Sequence, residues 1–382
     1  MALTGLLPFL RESLPYTQSL AAIRSGRHPW VMGPNAAEKA YLLAALSQDL
    51  RLPAEGPILV ATTSRESADR LHDDLLAFLP GLEPHLLTLP HWETLPADSG
   101  PPSPDITGER LLALLRLAEG QHPVILAPIG TLVRKVPSPE ALASVRFGIR
   151  ATQTADRDQV IAWLAAQGYS RADLVERKGE FAIRGGLIDV YPPQTDAPLR
   201  VEWFGDEIDS IRAFDPATQR STHALESAVF LPATELPGNT SLVEYLSPAS
   251  LLVFDEPYEL KRQADVVYDE SSLSWDEFTA LAGAIPQVAI SSLHGPDEPG
   301  REIVLRFGGV EAFGGQMKLL ARAVEGWQEQ SRRIVLATTQ PQRMMEIFED
   351  HGVRVTLAST LEPPPEPGEV AAVPAPLSSG FQ

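Results

Sequence analysis

Between the apolar run Trp30-Val31-Met32 and a stretch of helical spacing lies Gly33-Pro-Asn-Ala-Ala-Glu-Lys-Ala40. A phosphate-binding loop has the form G-x-x-x-x-G-K-[ST]. Its glycines let backbone amides wrap the phosphates, its lysine neutralises them, and its hydroxyl holds Mg²⁺. Gly33 and Lys39 stand at the required spacing, but Glu38 replaces the second glycine and Ala40 the hydroxyl. Glu38 sets a carboxylate against phosphate, and Ala40 offers magnesium no oxygen. The segment is either an ordinary strand–helix connection or the relic of an ATPase, and on both readings it hydrolyses no ATP. Asp255-Glu256, closing the run Leu251–Phe254, has the look of the carboxylate pair that holds magnesium and orients water in nucleotide hydrolases. Asp269-Glu270 makes a similar pair. Without a working phosphate loop neither pair has a partner. The histidines show no metal-ligand spacing, there is no Gly-x-Ser-x-Gly, and the absence of cysteine excludes disulfides, thiolate metal sites and a thiol nucleophile.

The elements that must position these residues follow from periodicity. Trp30–Gly33, Ile58–Ala61, Leu86–Leu89 and Val124–Ala127 read as short buried strands. Ala36–Leu50, a segment capped by Thr63 or Ser64, and Thr107–Leu117 read as helices. The prolines of Leu95–Pro104 make a loop. Such alternation predicts an α/β fold with a parallel sheet and helices on both faces. After Pro137 the pattern turns antiparallel. Leu199–Phe204 and Glu207–Arg212 flank Gly205-Asp206, a two-residue hairpin turn, and Gly185-Gly186 reads as a bulge or a close backbone approach within a strand running Glu180–Tyr191. The α/β character returns at Leu251. We therefore expect a degenerate phosphate-loop domain over 1–136, an inserted small α+β domain over 137–216, the second part of the first domain over 217–312, and a partial α/β domain over 313–382, the chain being a fragment of something longer.

With 31 basic and 50 acidic residues the chain carries a net charge of −19, which argues against a broad surface for duplex DNA. No apolar run reaches the ~18–20 residues of a membrane span, and Arg11 and Glu12 interrupt the N-terminal leucines, so a cytoplasmic protein is expected. Within this acidic chain Arg171, Arg177, Lys178, Arg184, Arg200, Arg212 and Arg220 concentrate positive charge in the inserted unit. They are either a solvated sheet face or a docking surface, since arginine beside exposed aromatics is the usual composition of interface hot spots.

That same unit carries a resemblance. Gly168-Tyr-Ser-Arg171, Gly179–Pro192, Arg200–Arg212 and Phe214–Ser221, with Trp92–Pro96 upstream, closely resemble a run shared by the bacterial excinuclease protein UvrB and the transcription-repair coupling factors (Mfd). The spoiled phosphate loop sides with the latter, whose UvrB-like region has lost it. The resemblance implies a UvrB-like module that recruits UvrA, another protein of the excinuclease, to RNA polymerase stalled at a lesion, in the bacterial cytoplasm at the nucleoid. It implies no cofactor for this chain; ATP and Mg²⁺ would serve the motor domains of the full-length family protein, which also meet RNA polymerase and DNA. By motif position the UvrA contacts are Arg171, after Gly-Tyr-Ser, and Arg184, before Gly-Gly. Ile188 joins them, placed by strand alternation on the face of Arg184. UvrB has a basic residue where this chain has Ala182, and nothing between Pro90 and Pro104 provides UvrB's DNA-threading hairpin. The alternative is a UvrB-type ATPase with an aberrant loop; a third reading has the platform restraining the family's motor.

Overall fold

The computed structural model describes residues 3–52, 54–90, 102–296, 300–311 and 313–382. Most of the stretch from Pro90 to Pro104, with its expected loop and absent hairpin, and the Trp92–Pro96 motif lie outside the described residues. At the centre is a seven-stranded parallel sheet ordered Glu302–Val304, Trp30–Met32, Gln287–Ser291, Leu251–Asp255, Ile58–Thr62, Val124–Pro128, Leu86–Thr88. The strands Ile58–Thr62, Val124–Pro128 and Leu251–Asp255 are buried at every residue. A parallel strand covered on both faces must read so, because neither face meets water.

Helices Ala37–Asp49 and Arg65–Phe78 cover one face, and Pro104–Ala118, Pro257–Val267 and Trp275–Ala282 the other. Their starts are set locally. Ser64 accepts the Ser67 amide, Ser103 that of Ile106, and Ser274 forms a capping box with Glu277. The third helix begins at Pro104 rather than Thr107, because Ser103 caps it and proline is tolerated in a first turn.

Four strands of this sheet precede residue 130 and three follow residue 250, so what lies between is an insertion. It holds a six-stranded sheet ordered Ser221–Leu225, Glu207–Phe214, Leu199–Phe204, Leu187–Val190, Glu180–Arg184, Ser170–Arg171. Every neighbouring pair is antiparallel except the last. A second ribbon pairs Phe147–Arg150 with Ser227–Phe230, so the inserted strands run past 216, where the sequence reading ends the unit. Helix Arg157–Ala166, capped by Asp156, packs Val160 and Leu164 against the sheet. Gly205-Asp206 is the expected hairpin turn, Phe204 facing Glu207 across it. Gly185-Gly186 is not a bulge. It is a second two-residue turn, with Arg184 opposite Leu187 and Gly185 at φ +58°, so Glu180–Tyr191 is two strands rather than one.

The last unit is a three-stranded parallel sheet, Ile334–Ala337, Val370–Val373, Thr356–Leu357. Its middle strand, between Gly368 and Pro374, was hidden from periodicity by the proline-rich passage around it. Leu361, Ala371, Val373 and Ala375 join the core of the first domain with Leu3, Leu7 and Tyr41, so the two share one apolar interior. The α/β fold with an inserted α+β unit is thus the one the sequence implies. Among the described residues no helix is long and apolar enough to cross a membrane.

Candidate functional site

The Gly33–Ala40 loop has closed on itself. Gly33 sits at φ +126°, where an added Cβ would lie 2.2 Å from the Leu305 carbonyl, so only glycine fits. Ala36 takes φ +41° before the helix begins. The Asn35 amide donates to Glu38 Oε2 at 2.7 Å, the Gly33 amide to the Ser291 carbonyl at 3.0 Å, and the Ala37 amide to Ser379 Oγ at 3.3 Å. Donors that would wrap phosphate in a working loop therefore serve the protein itself. Burial pushes the Glu38 carboxyl above its ordinary range, against the Asn35 hydrogen bond and nearby Lys39.

Lys39, the residue that would meet the phosphates, points instead at the strand-end carboxylates. Its Nζ lies 2.6 Å from Asp255 Oδ1 and 3.0 Å from Glu256 Oε1, and its side chain is only 13% exposed. Glu256 also accepts from Ser291 Oγ, the Ser292 amide and Ser292 Oγ, each at 3.0–3.1 Å. Burial drives Asp255 up despite Lys39. Burial pushes Glu256 the same way, but Lys39 and the serine donors outweigh it and hold the carboxyl below its usual range. Burial disfavours the Lys39 ammonium, yet the two carboxylates keep its pKa raised. Lys39 thus offsets part of the negative charge of Asp255 and Glu256. These residues do not fit Mg-ATP: the lysine is spent, Glu38 brings negative charge, and Ala40 is buried without an oxygen to offer.

The C-terminal segment completes the closure. Besides Ser379, Ser378 gives both its amide and its hydroxyl to Asp74, at 2.7 and 2.5 Å. Phe381 lies between Tyr41 and Phe307, with ring centroids 5.3 and 5.6 Å away. Local sequence held no signal for these serines, since they lie far from the loop along the chain. Asp269 stands apart, paired with Arg134 at 3.3 Å.

The second arrangement is at the edge of the inserted sheet. Arg171 belongs to the edge strand Ser170–Arg171 and pairs in register with Phe181; Arg184 ends the next strand. Both are exposed. Phe181 packs in the core beneath helix Arg157–Ala166, whereas Ala182 packs in a separate cluster with Val175 and Phe214. By alternation Arg171 shares the side of Phe181 and Arg184 that of Ala182, so the two guanidinium groups straddle the edge strand. The Arg184 Nη2 donates to the Asp173 carbonyl at 3.0 Å, which ties the two neighbouring segments together.

Ile188 does not join them. It lies in the returning strand opposite Ile183 and is 1% exposed, inside the core, because the Gly185-Gly186 turn reverses the chain and resets the alternation. The basic cluster also divides. Arg200 grips buried Asp189 with two bonds of 2.7 and 2.9 Å, Arg212 pairs with Glu202, and Lys178 with Asp105 at 3.4 Å. Arg171, Arg177, Arg184 and Arg220 are exposed, with no carboxylate partner among the described residues.

Comparison with known proteins supplies the context. Residues 147–236 match the family model described as the UvrB interaction domain. A transcription-repair-coupling factor of Myxococcus xanthus is 36% identical over 231 residues, covering 59% of this chain and 19% of that protein. Those of Escherichia coli (33% over 217 residues, 57% and 18%) and Mycobacterium tuberculosis (38% over 219 residues, 56% and 17%) are similar. The chain spans under a fifth of the length of these curated relatives. Thus the exposed arginines stand within a match to the UvrB interaction domain, and the chain around them is similar, over more than half its length, to the transcription-repair-coupling factors.

Proposed function

We propose that this chain is a UvrB-like docking module, without ATPase activity of its own, that recruits UvrA in transcription-coupled nucleotide excision repair. Arg171 and Arg184 are its anchors. The observation that carries the reading is their placement: two exposed arginines, without carboxylate partners among the described residues, straddle a sheet edge inside residues 147–236, in a chain whose net charge is −19. A local positive edge on an acidic molecule selects an acidic partner surface, and long-range repulsion discourages a polyanion such as DNA. RNA polymerase, DNA and a nucleotide-driven motor belong, on this reading, to the longer coupling factors that the chain resembles. The spent Lys39 supports the absence of ATP chemistry here and weighs against the UvrB-type ATPase.

The test is binding of the chain to immobilised UvrA, with Arg171→Glu and Arg184→Glu as variants. Truncating a central arginine anchor costs about 2–4 kcal/mol, so reversing its charge is expected to weaken binding at least roughly thirtyfold. Exposed side chains away from the core usually change stability by under about 0.5 kcal/mol, so thermal melts should stay with the parent. Folded variants that bind UvrA as the parent does would place the docking site elsewhere.

A further inference from the structure

We infer that Phe204 is an apolar anchor of the same docking face, seated in a recess of UvrA; this rests on the UvrA reading above. Phe204 is 84% exposed, the most exposed large apolar side chain among the described residues. It occupies the last strand position before the Gly205-Asp206 turn. A phenylalanine left in water forgoes the stabilisation that burial would return, and aromatic residues beside arginine dominate interface energetics.

Three observations place it on the face that carries Arg184. In register, Arg184 lies opposite Leu187, and Leu187 opposite Glu202. Paired residues share a face, so Arg184, Leu187 and Glu202 form a cross-strand row, with Phe204 two residues beyond Glu202 on the same side. Two strand spacings and two residue rises separate Arg184 from Phe204 by about 12 Å, well within one standard interface. The two hairpin tips also touch, the Trp203 amide donating to the Gly186 carbonyl at 2.8 Å.

The tip is held rigidly from the opposite side. Trp203, facing the core, donates from its indole to the Ala155 carbonyl at 2.9 Å. The Ala155 amide donates to the Asp206 carbonyl, and the Thr152 amide to that of Ile208, at 3.0 and 2.7 Å. Arg157 donates to the Gly185 carbonyl of the adjoining turn. Phe204 is therefore presented on a fixed turn rather than a loose loop. Little ordering entropy is lost when it binds, and a side chain with two χ angles loses little more.

Charge around the tip is mixed and specifies the partner further. Arg184 lies on one flank, while Asp206, Glu207 and Asp209 are exposed around the turn itself. The complementary surface is an apolar recess with acidic groups on the side that meets Arg184 and basic groups on the side that meets the turn.

The experiment titrates UvrA against the parent chain, Phe204→Ala, Phe204→Trp, Asp206→Lys and Arg184→Glu, each checked by thermal melt. The expected result is about thirtyfold weaker binding for Phe204→Ala, near-parental binding for Phe204→Trp, and measurable weakening for Asp206→Lys, all with unchanged melting. Phe204→Ala and Phe204→Trp binding alike, at the parental affinity, while Arg184→Glu loses binding, would overturn this inference and leave the docking reading standing. A parent chain that does not bind UvrA, or an Arg184→Glu variant that binds as the parent does, would overturn the docking reading instead.

Discussion

Lys39 is the residue on which the Gly33–Ala40 loop turns. It is the only cation hydrogen-bonded to Asp255 and Glu256 among the described residues, and all three side chains are largely buried. A buried ion pair adds little when complete, but removing one partner leaves uncompensated charge and costs about 3–5 kcal/mol. Lys39→Met is accordingly expected to destabilise the chain by about that amount in urea unfolding. A change well below that range would mean water reaches the carboxylates. The pH dependence follows from Glu256. Its folded pKa lies below its ordinary value of 4.5, so the folded state binds the proton less readily than the unfolded chain. Its contribution is fully present above pH 4.5 and is lost as pH falls through the lowered folded value. The stability difference between parent and Glu256→Gln should hold constant at neutral pH and shrink as pH falls below 4.5. A difference that grows on acidification would reverse the sign assigned here.

Among the elements, the inserted sheet shows how a basic cluster read from composition separates into different roles. Strand alternation and register bring Arg200 against Asp189 across two neighbouring strands, and Asp189 is 0% exposed. The Arg200 guanidinium also lies over the Phe214 ring, 4.8 Å from its centroid. Arg200 is thus a structural residue. Arg200→Ala strands a buried carboxylate and is expected to cost about 3–5 kcal/mol, read as a lowered denaturation midpoint. Arg171→Glu, on the exposed edge, should leave that midpoint in place. Equal melting of the two variants would contradict the division. The same logic explains Ile188. Placing it beside Arg184 assumed a single strand through Gly185-Gly186, and a two-residue turn instead sends the chain back with Ile188 inward. Two glycines in an apolar stretch are compatible with a bulge and with a turn, and local propensity does not separate them.

At the scale of the molecule, the Gly33–Ala40 loop is closed by parts of the chain far from it in sequence. Asp255 and Ser379 lie 216 and 342 residues from their loop partners. Changing the motif letters alone leaves both in place. Glu38→Gly with Ala40→Thr restores the written motif, yet we expect calorimetry with Mg-ATP to show no saturable binding at millimolar nucleotide. Lys39 would still be held by two carboxylates and the Ala37 amide by Ser379. A micromolar isotherm for the double variant would show that the two letters were the sole obstacle.

Much of this protein was legible without its fold. The strands buried at every residue declare themselves because a parallel strand covered on both faces is apolar along its run, as Ile58–Ala61 and Leu251–Phe254 are, whereas Gln287–Ser291 and Glu302–Val304 of the same sheet went unread. The Gly205-Asp206 hairpin is fixed by two residues and the alternation beside them. The departure of Glu38 and Ala40 from the phosphate-loop pattern is written in the residue types, and the stretch that holds Arg171 and Arg184 falls within the match to the UvrB interaction domain. Tertiary structure alone decided the partners of Lys39, the burial of Ile188, the split between Arg200 and Arg184, and the exposure of Phe204. Periodicity and turn chemistry act over a few residues, so sequence reveals them. Ion pairs, burial and surface exposure are set by which distant strands become neighbours, and only the packed sheet order supplies that.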